Sequence, residues 1–372
     1  MRVFNVLHVV NGLRIGGTEK QLFSYLKYLN RERFNSTVFC ITDAPLLNYN
    51  KNFEFDIIIG NFKKFHPLIF KNFADIIRKN KIDIIHSYLF HSNILSRCMG
   101  KVLQAPIVIN EERGLEGWKK SWHVLLDKST SRFADLIIAN SKSVKENLIT
   151  KIGITAERVM VVNTGIDFEE FEGLHVLQLN KKDFGFKEND IVVGSISRLQ
   201  KIQGIAYLIE AAKIVSQKIP NIKFLIVGDG PEYDKLRTME KMLALDNRIK
   251  FLGLRMDIRK ILYLIDIFVR PSLEEGLPRG VMEAMASNKP FIASHVGGNI
   301  ELADHGRNGI LVPPKDSQAL SDAILCLAKN PDLRAEMGRK GRKYLKQNFD
   351  WRYLALRRQE IYERLIKLKG LN

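Results

Sequence analysis

The sequence predicts two doubly wound α/β domains in series, each built on a parallel sheet. Three observations carry that expectation. Short apolar runs alternate with amphipathic stretches along the chain, the pattern of strand–helix–strand units. The alternation lapses once, in a charged stretch without periodicity from Phe168 to Asp190, and then restarts. The length of 372 residues lets each half bury a core of its own.

Taken in order, Val3–Val10 reads as a strand, Glu19–Leu29 as a helix and Thr37–Thr42 as a strand. Pro67–Lys79 is expected as a helix, Asp83–Ser87 as a strand and Ile94–Val102 as a helix. Strands at Ile107–Asn110, Leu136–Ala139 and Val159–Val162 complete the first set. The first domain is expected over residues 1–172, a linker over 173–190 and the second domain over 191–348. In the second domain strands are expected at Ile191–Ile196, Lys223–Val227, Lys250–Leu252, Ile267–Val269, Phe291–Ala293 and Ile310–Val312. From Ser317 the chain reads as helical, with one long helix from Phe349 to Leu371. In such sheets ligands sit beyond the carboxyl ends of the strands.

Composition narrows the class. An apolar fraction of 45% and a charged fraction of 27% are those of a globular protein. No apolar run approaches the ~20 residues needed to cross a bilayer. The opening run Met1–Val10 lacks the long apolar core and cleavage site of a signal peptide, and Asn11-Gly12 follows at once, so it reads as a first strand. Cys40, Cys98 and Cys326 have neither metal-ligand spacing nor a disulfide framework. A cytoplasmic protein without a metal site is expected.

The net charge of +17 is uneven. Residues 1–150 hold 22 Lys/Arg against 13 Asp/Glu, and residues 334–372 hold 12 against 4. The middle, 151–333, has 24 of each. Three readings stand: general solubility, attraction to an anionic membrane surface or phosphate-bearing acceptor, and nucleic-acid binding. No nucleic-acid signature supports the last, and the neutral middle offers no basic stripe.

The most informative string is Ser272 to Ala286. Phe268-Val269 ends a strand, Gly276 and Pro278 break the pattern, and Pro278 suits the first turn of a helix through Val281–Ala286. Glu275 falls in the loop, and Glu283 about two turns up the helix among apolar and small residues. An ionised group there is costly unless paired, and a pair of sugar hydroxyls can pair it. Backbone amides of Gly276 and Leu277 at the helix start can meet an anion. Two solvated glutamates on a surface helix is the bland alternative for this spacing alone.

Other loops carry similar chemistry. Gly16 and Gly17, between the first strand and helix, allow close approach of backbone amides to a phosphate, and Thr18 can cap the helix. Gly228 and Gly230 form a tight turn after a buried strand, and as residues by themselves they read as turn formers. Trp118 and Trp122 bracket Lys119 and Lys120 in a loop from Asn110 to His123, and Phe62 to Pro67 forms a similar cluster. Aromatics beside cations suit a membrane interface or a lipid-linked acceptor, with core packing of the tryptophans as the alternative.

Together these strings resemble the retaining glycosyltransferases of family 4, with the GT-B fold of two Rossmann-like domains facing across a cleft. The resemblance spans almost the whole chain, and its most specific element is the E-x7-E pair Glu275 and Glu283. It implies that Glu275 lies beside the donor sugar and that Glu283 holds the nucleotide ribose. It implies that the Gly16-Gly17 loop, with Glu19, faces the donor, and that the Gly228 turn walls the nucleotide pocket. Leu254 and Arg255 would meet the base through backbone atoms, and Gly297-Gly298 would lie near the pocket floor, unless that segment is only a strand turn.

Similar proteins carry an Arg and, five residues later, a Lys that neutralise the donor diphosphate. Arg198 matches the Arg, but Gln203 stands at the Lys position. Lys201 or Arg14 could supply the missing charge. Family members often have His-x-His where this chain has His86 and Tyr88, and His91 is then the preferred polar residue near the donor sugar. A helix-start histidine without a catalytic role is the alternative. Glu111, Glu112 and Arg113 could read the acceptor.

The resemblance further implies catalysis by Glu275, His91 and Arg198 without a general base, since in a front-face substitution the leaving phosphate takes the acceptor proton. It implies a UDP-sugar donor by default with GDP open, no metal, and a glycan or lipid-linked acceptor. It also implies that the C-terminal helix, 349–372, packs back on the first domain. The rival readings are a non-catalytic nucleotide-sugar-binding protein and another GT-B enzyme such as a 2-epimerase.

Overall fold

The computed structural model describes residues 2–13, 16–45, 55–62, 66–115, 117–172, 179–304 and 306–371. The chain divides into two compact units, Met1–Gly165 with Trp351–Asn372, and Ile166–Asp350.

The first unit runs β1 (Phe4–Val10), α1 (Gly17–Tyr28), β2 (Phe34–Cys40), β3 (Asp56–Ile59), α2 (Leu68–Lys79), β4 (Ile84–Tyr88) and α3 (Phe90–Val102). It continues through β5 (Ile107–Glu112), α4 (Ser121–Ser131), β6 (Leu136–Ala139), α5 (Lys142–Asn147) and β7 (Val159–Val161). The second unit runs β8 (Ile191–Ile196), α6 (Ile205–Lys218), β9 (Ile222–Val227), α7 (Tyr233–Met242), β10 (Ile249–Phe251), α8 (Ile258–Leu264) and β11 (Ile267–Arg270). Then come α9 (Arg279–Ala286), β12 (Phe291–Ser294), α10 (Gly298–Leu302), β13 (Gly309–Val312), α11 (Ser317–Lys329) and α12 (Pro331–Asn348). The last helix, α13 (Trp351–Leu368), belongs to the first unit.

Among the described residues the first sheet has the order β3-β2-β1-β4-β5-β6-β7 and the second β10-β9-β8-β11-β12-β13. All pairings are parallel. Both sheets therefore reverse direction of growth once, between β1 and β4 and between β8 and β11. Those reversals are where a doubly wound sheet opens a crevice for ligands. The central strands are apolar on both faces because helices cover both, as in β1, where Phe4, Val6, Leu7 and Val9 are fully buried.

The structure departs from the sequence expectation in four places. β3, which the sequence expectation does not include, is a short edge strand of half-buried and exposed residues. The stretch expected as a linker is packed into the second unit from Phe168 onward. Phe168, Phe171, Phe184 and Phe186 are buried in one core with Phe268 and Phe291; residues 173–178 lie outside the described residues. The Trp-Lys loop is shorter than expected, because Ile107–Glu112 is a strand and Ser121 opens α4. Thr18 does not cap α1, whose N-cap is Gly16 without a side-chain bond.

The final segment breaks at Phe349-Asp350, and α13 then lies on the first unit. Trp351, Leu354, Ile361 and Tyr362 share a core with Phe4, Tyr25 and Phe34. Arg33 Nε donates to Glu363 Oε1 at 2.6 Å. The first unit thus holds 30 Lys/Arg against 16 Asp/Glu, and the second 28 against 25. Nearly all the excess positive charge belongs to one unit. No helix among the described residues is long and apolar enough to cross a membrane.

Candidate active site

In the second unit every segment singled out from sequence lies just past a strand end at the same edge of the sheet. Arg198 and Gln203 follow β8, Gly228 follows β9, Leu254 and Arg255 follow β10, Glu275 follows β11 and Gly297 follows β12. Arg198 and Glu275 thus flank the β8/β11 reversal.

Glycines hold these loops together. Gly228 has φ 130°, and a Cβ there would come 1.8 Å from the Ser197 carbonyl oxygen. The turn after β9 therefore packs backbone to backbone against the loop carrying Arg198. Gly297 has φ 48°, and a Cβ there would come 1.9 Å from the Glu275 carbonyl oxygen. The Gly-Gly segment after β12 thus supports the loop that carries Glu275.

The two carboxylates have partners that sequence reasoning missed. Arg270, at the end of β11, donates through Nη2 to Glu275 Oε1 at 2.8 Å and through Nη1 to the Ile196 carbonyl at 3.1 Å. Arg279 Nε donates to Glu283 Oε1 at 2.7 Å. Glu283 is buried, in the middle of a two-turn helix that starts at Arg279, with Pro278 one residue outside it as N-cap. Each carboxylate is therefore held in one orientation, with capacity left for hydroxyl donors.

Arg198 and Lys201 are exposed and Gln203 is half-buried in the turn before α6. Arg255 is engaged with Asp257 at 2.7 Å, and Leu254 beside it is 62% exposed. Leu277 is buried and Gly276 half-buried. Around these loops Ser195 Oγ, Ser197 Oγ, Gln203 Oε1, Arg270 Nε, Ser272 Oγ and Arg279 Nη1 are buried with no hydrogen-bond partner in the protein. Buried polar atoms left unpaired are costly. They lie at the sheet edge where a doubly wound fold opens its crevice for ligands.

In the first unit Gly16 is extended at φ −155°, and a Cβ placed on Gly17 would meet nothing within 4 Å. The amides at the start of α1 are thus sterically open, although Glu19 folds back over Gly16, where a Cβ would come 2.5 Å from its Oε2. Arg113 Nη1 donates to the Thr18 carbonyl at 2.8 Å and ties this loop to the end of β5. Arg14 lies outside the described residues.

The family departure on β4, Tyr88, and the histidine two residues before it both face the core. Tyr88 is buried, its hydroxyl 3.0 Å from His8 Nδ1 and its ring under the Arg113 guanidinium. His86 is fully buried, with Nδ1 2.6 Å from the Tyr362 hydroxyl of α13 and Nε2 3.4 Å from Glu111 Oε2. Burial holds His86 and His8 below the usual imidazole range, hence neutral. Glu111 is not an acceptor reader: it is wholly buried, 2.9 Å from Arg113 and 3.3 Å from Arg358. Glu112 is buried too and accepts from Asn93 at 2.8 Å.

His91 is half-buried in the first turn of α3 and stacks on Trp118 at 6.1 Å with the rings 4° from parallel. Just before α3, Leu89 has φ 70° and ψ 165°, a region that side-chain-bearing residues avoid. Such strain costs about 1–3 kcal/mol and clusters at functional loops. Trp118 and Trp122 are not core residues: they are 52% and 53% exposed. Lys119 is drawn in to Asp127 at 2.7 Å, while Lys120 is exposed. Of the Phe62 to Pro67 cluster, residues 63–65 lie outside the described residues. No cluster of metal-ligating side chains occurs among the described residues.

Residues 178–344 match the model of Glycosyl transferases group 1, and residues 15–170 that of Glycosyltransferase Family 4. The chain is 27% identical to the UDP-Gal:alpha-D-GlcNAc-diphosphoundecaprenol alpha-1,3-galactosyltransferase of Escherichia coli, over 86% of this chain and 87% of the other. It is 26% identical to the N,N'-diacetylbacillosaminyl-diphospho-undecaprenol alpha-1,3-N-acetylgalactosaminyltransferase of Campylobacter jejuni, over 81% and 82%. In fold it is similar to Anabaena HepE crystallised with UDP-glucose, with a TM-score of 0.85, 24% identity and coverage of 97% and 99%. Two family models that together span nearly the whole chain, on two doubly wound parallel sheets, make it a GT-B glycosyltransferase of family 4.

Proposed function

We propose that this protein is a retaining hexosyltransferase that moves a sugar from a UDP-sugar to a hydroxyl of a lipid-linked glycan in polysaccharide, lipopolysaccharide or glycolipid biosynthesis. The observation that carries the proposal is the set of loops past β8 to β12, where Arg198, Glu275 and Glu283 gather with buried, unpaired polar atoms. Glu283, held by Arg279, takes the ribose hydroxyls. Glu275, held by Arg270, lies beside the donor sugar. Arg198 and the Gly276 and Leu277 amides take the diphosphate, and Leu254 and Arg255 border the base.

As the bond from the anomeric carbon to the diphosphate oxygen breaks, the acceptor oxygen bonds to the same face. The leaving phosphate takes the acceptor proton, so neither a side-chain base nor a metal is required. Similarity to relatives named for diphosphoundecaprenol-linked acceptors supports the acceptor class.

The test is a screen of UDP- and GDP-sugars by thermal shift, then release of the free nucleotide with and without EDTA, and NMR of the product anomer. UDP release unaffected by EDTA and an α-product from an α-donor are expected. An inverted product, or donor binding without any release, overturns the reading; the latter leaves a nucleotide-sugar-binding protein.

Gln203 is the position where the charge of the diphosphate is least compensated. Gln203→Lys is expected to tighten UDP binding by about 1 kcal/mol, roughly fivefold, measured by calorimetry. An unchanged affinity would show that another cation already neutralises the phosphates.

The same proposal places the protein at the cytoplasmic face of a membrane. The positive excess of the first unit and the exposed Trp118 and Trp122 support it. Co-sedimentation with anionic vesicles is expected at low salt, to fall steeply with added salt and to weaken in Trp118→Ala/Trp122→Ala. Equal binding to neutral and anionic vesicles would remove the electrostatic part.

A further inference from the structure

The first unit contains a cavity of about 180 Å³ that the reaction itself does not explain. Among the described residues its walls are Ile41, Ile69, Phe70, Ile94, Leu95 and Cys98, with polar groups at Asn11, Thr42 and His91. Those three polar residues follow β1, β2 and β4, so the cavity opens at the ligand-binding edge of the sheet and at its β1/β4 reversal. Phe70 is 46% exposed although it lines the wall, and Leu68 near it is 54% exposed.

His91 joins the cavity to a second apolar surface. Trp118 stacks on it, His123 lies against both Trp118 and Trp122, and Leu125, one helical turn beyond Trp122, is 68% exposed. Trp122 and Leu125 fall on the same face of α4. A run of exposed apolar side chains leading into an apolar cavity is a hydrocarbon path. The unit that carries it holds nearly all the excess positive charge, which suits a phosphate-bearing headgroup.

We propose that this cavity binds the hydrocarbon segment of the acceptor lipid next to its phosphorylated headgroup. This rests on the glycosyltransferase reading and specifies its acceptor side. An apolar cavity of ~150 Å³ takes a six-carbon ring, so this one has room for a five-carbon branched unit. Asn11 and Thr42 mark the end at which the polar headgroup begins. Trp118 and Trp122 cover the chain as it leaves the cavity.

Geranyl diphosphate is the probe, titrated into the full-length protein and followed by calorimetry and tryptophan fluorescence, with inorganic diphosphate as the headgroup control. Burial of one branched five-carbon unit is expected to make geranyl diphosphate bind at least tenfold more tightly than inorganic diphosphate. Cys98→Phe fills the cavity and Ile94→Asn makes its wall polar; each is expected to erase that margin, with melting temperatures reporting that the variants are folded. Equal affinity of the two probes for the wild-type protein overturns the proposal, as does a margin that survives in both folded variants. UDP titrated into the same wild-type sample separates the two readings: failure to bind UDP overturns the donor assignment, while the geranyl margin alone judges the cavity.

Discussion

Glu283→Ala is expected to weaken UDP binding by roughly ten- to a hundredfold. A carboxylate that accepts two ribose hydroxyls makes hydrogen bonds to a charged group, which contribute about 1.5–3 kcal/mol. The side chain is buried in α9, and its Oε1 is fixed by Arg279 at 2.7 Å. No other carboxylate lies on that helix, so no neighbour can replace it. The substitution has a second consequence, since Arg279 is left nearly buried with its Nη1 already unpaired. Part of any loss in affinity would then come from a disturbed helix start. The double replacement Glu283→Ala/Arg279→Ala removes that orphaned charge and separates the two effects. Calorimetry with UDP measures affinity, and thermal unfolding without ligand measures the helix. If the double variant regains stability while UDP binding stays weak, the carboxylate acts on the nucleotide directly. UDP affinity at the wild-type level in both variants would remove Glu283 from the site.

How much of this was legible in the sequence depends on the range of the interaction that decides it. The strands of the second sheet were legible because each is a short apolar run bounded by turn-forming Gly, Pro, Asn, Asp or Ser residues. Ile191–Ile196 is found with the expected bounds, four of the others shift by a residue at one end, and Lys250–Leu252 moves by one residue at both ends to Ile249–Phe251. The Arg279–Glu283 pair was open to reading too, as an i, i+4 pair on a helix. The Arg270–Glu275 pair was not, because it depends on how the loop after β11 folds back on its strand. Nor was the fate of His86 and Tyr88. Alternation along β4 places them on one face, but whether that face meets substrate or core depends on α13, which arrives from more than 250 residues away. Phe168, Phe171, Phe184 and Phe186 read as linker because their spacing has no period. They are held by the second sheet's core instead of by a repeating element of their own. The strain at Leu89 leaves no trace in sequence, since leucine is an ordinary residue before a helix.

Glu111→Ala is expected to cost the first unit about 3–5 kcal/mol, the range for breaking a buried ion pair. For a unit of this size that is a fall of roughly 10 °C in melting temperature. The carboxylate is completely buried at the end of β5 and is the shared partner of Arg113, of Arg358 on α13, and of His86. Arg358 is itself 1% exposed, so without Glu111 it remains buried with the Asn163 and Val162 carbonyls and the Trp351 and Tyr25 rings, none of them a carboxylate, to meet its charge. Burial by itself would raise the Glu111 pKa, but Arg113, Arg358 and His86 outweigh it and hold the carboxyl well below the usual carboxylate range. The folded pKa is therefore lower than the unfolded value of 4.5, and the stabilisation is present above that pH and is lost as pH falls below it. His8 and His86 act in the same direction at higher pH. Burial depresses both, so the unfolded chain takes up protons at 6.5 that the folded chain refuses, and stability declines as pH falls through that value. Calorimetric unfolding of the wild-type protein is thus expected to be flat above pH 6.5, to decline below it, and to decline more steeply below 4.5. Glu111→Ala should lower the whole curve and weaken the steeper acid limb, to which Asp127 and Glu363 also contribute, while leaving the histidine limb in place. A melting temperature within 2 °C of wild type at pH 7.5 would mean that the two arginines are compensated elsewhere. Because Arg113 also holds the Thr18 carbonyl, the same variant should loosen the loop at the start of α1. Hydrogen exchange at Gly17 and Thr18 is the local measure of that link between the C-terminal helix and the glycine loop.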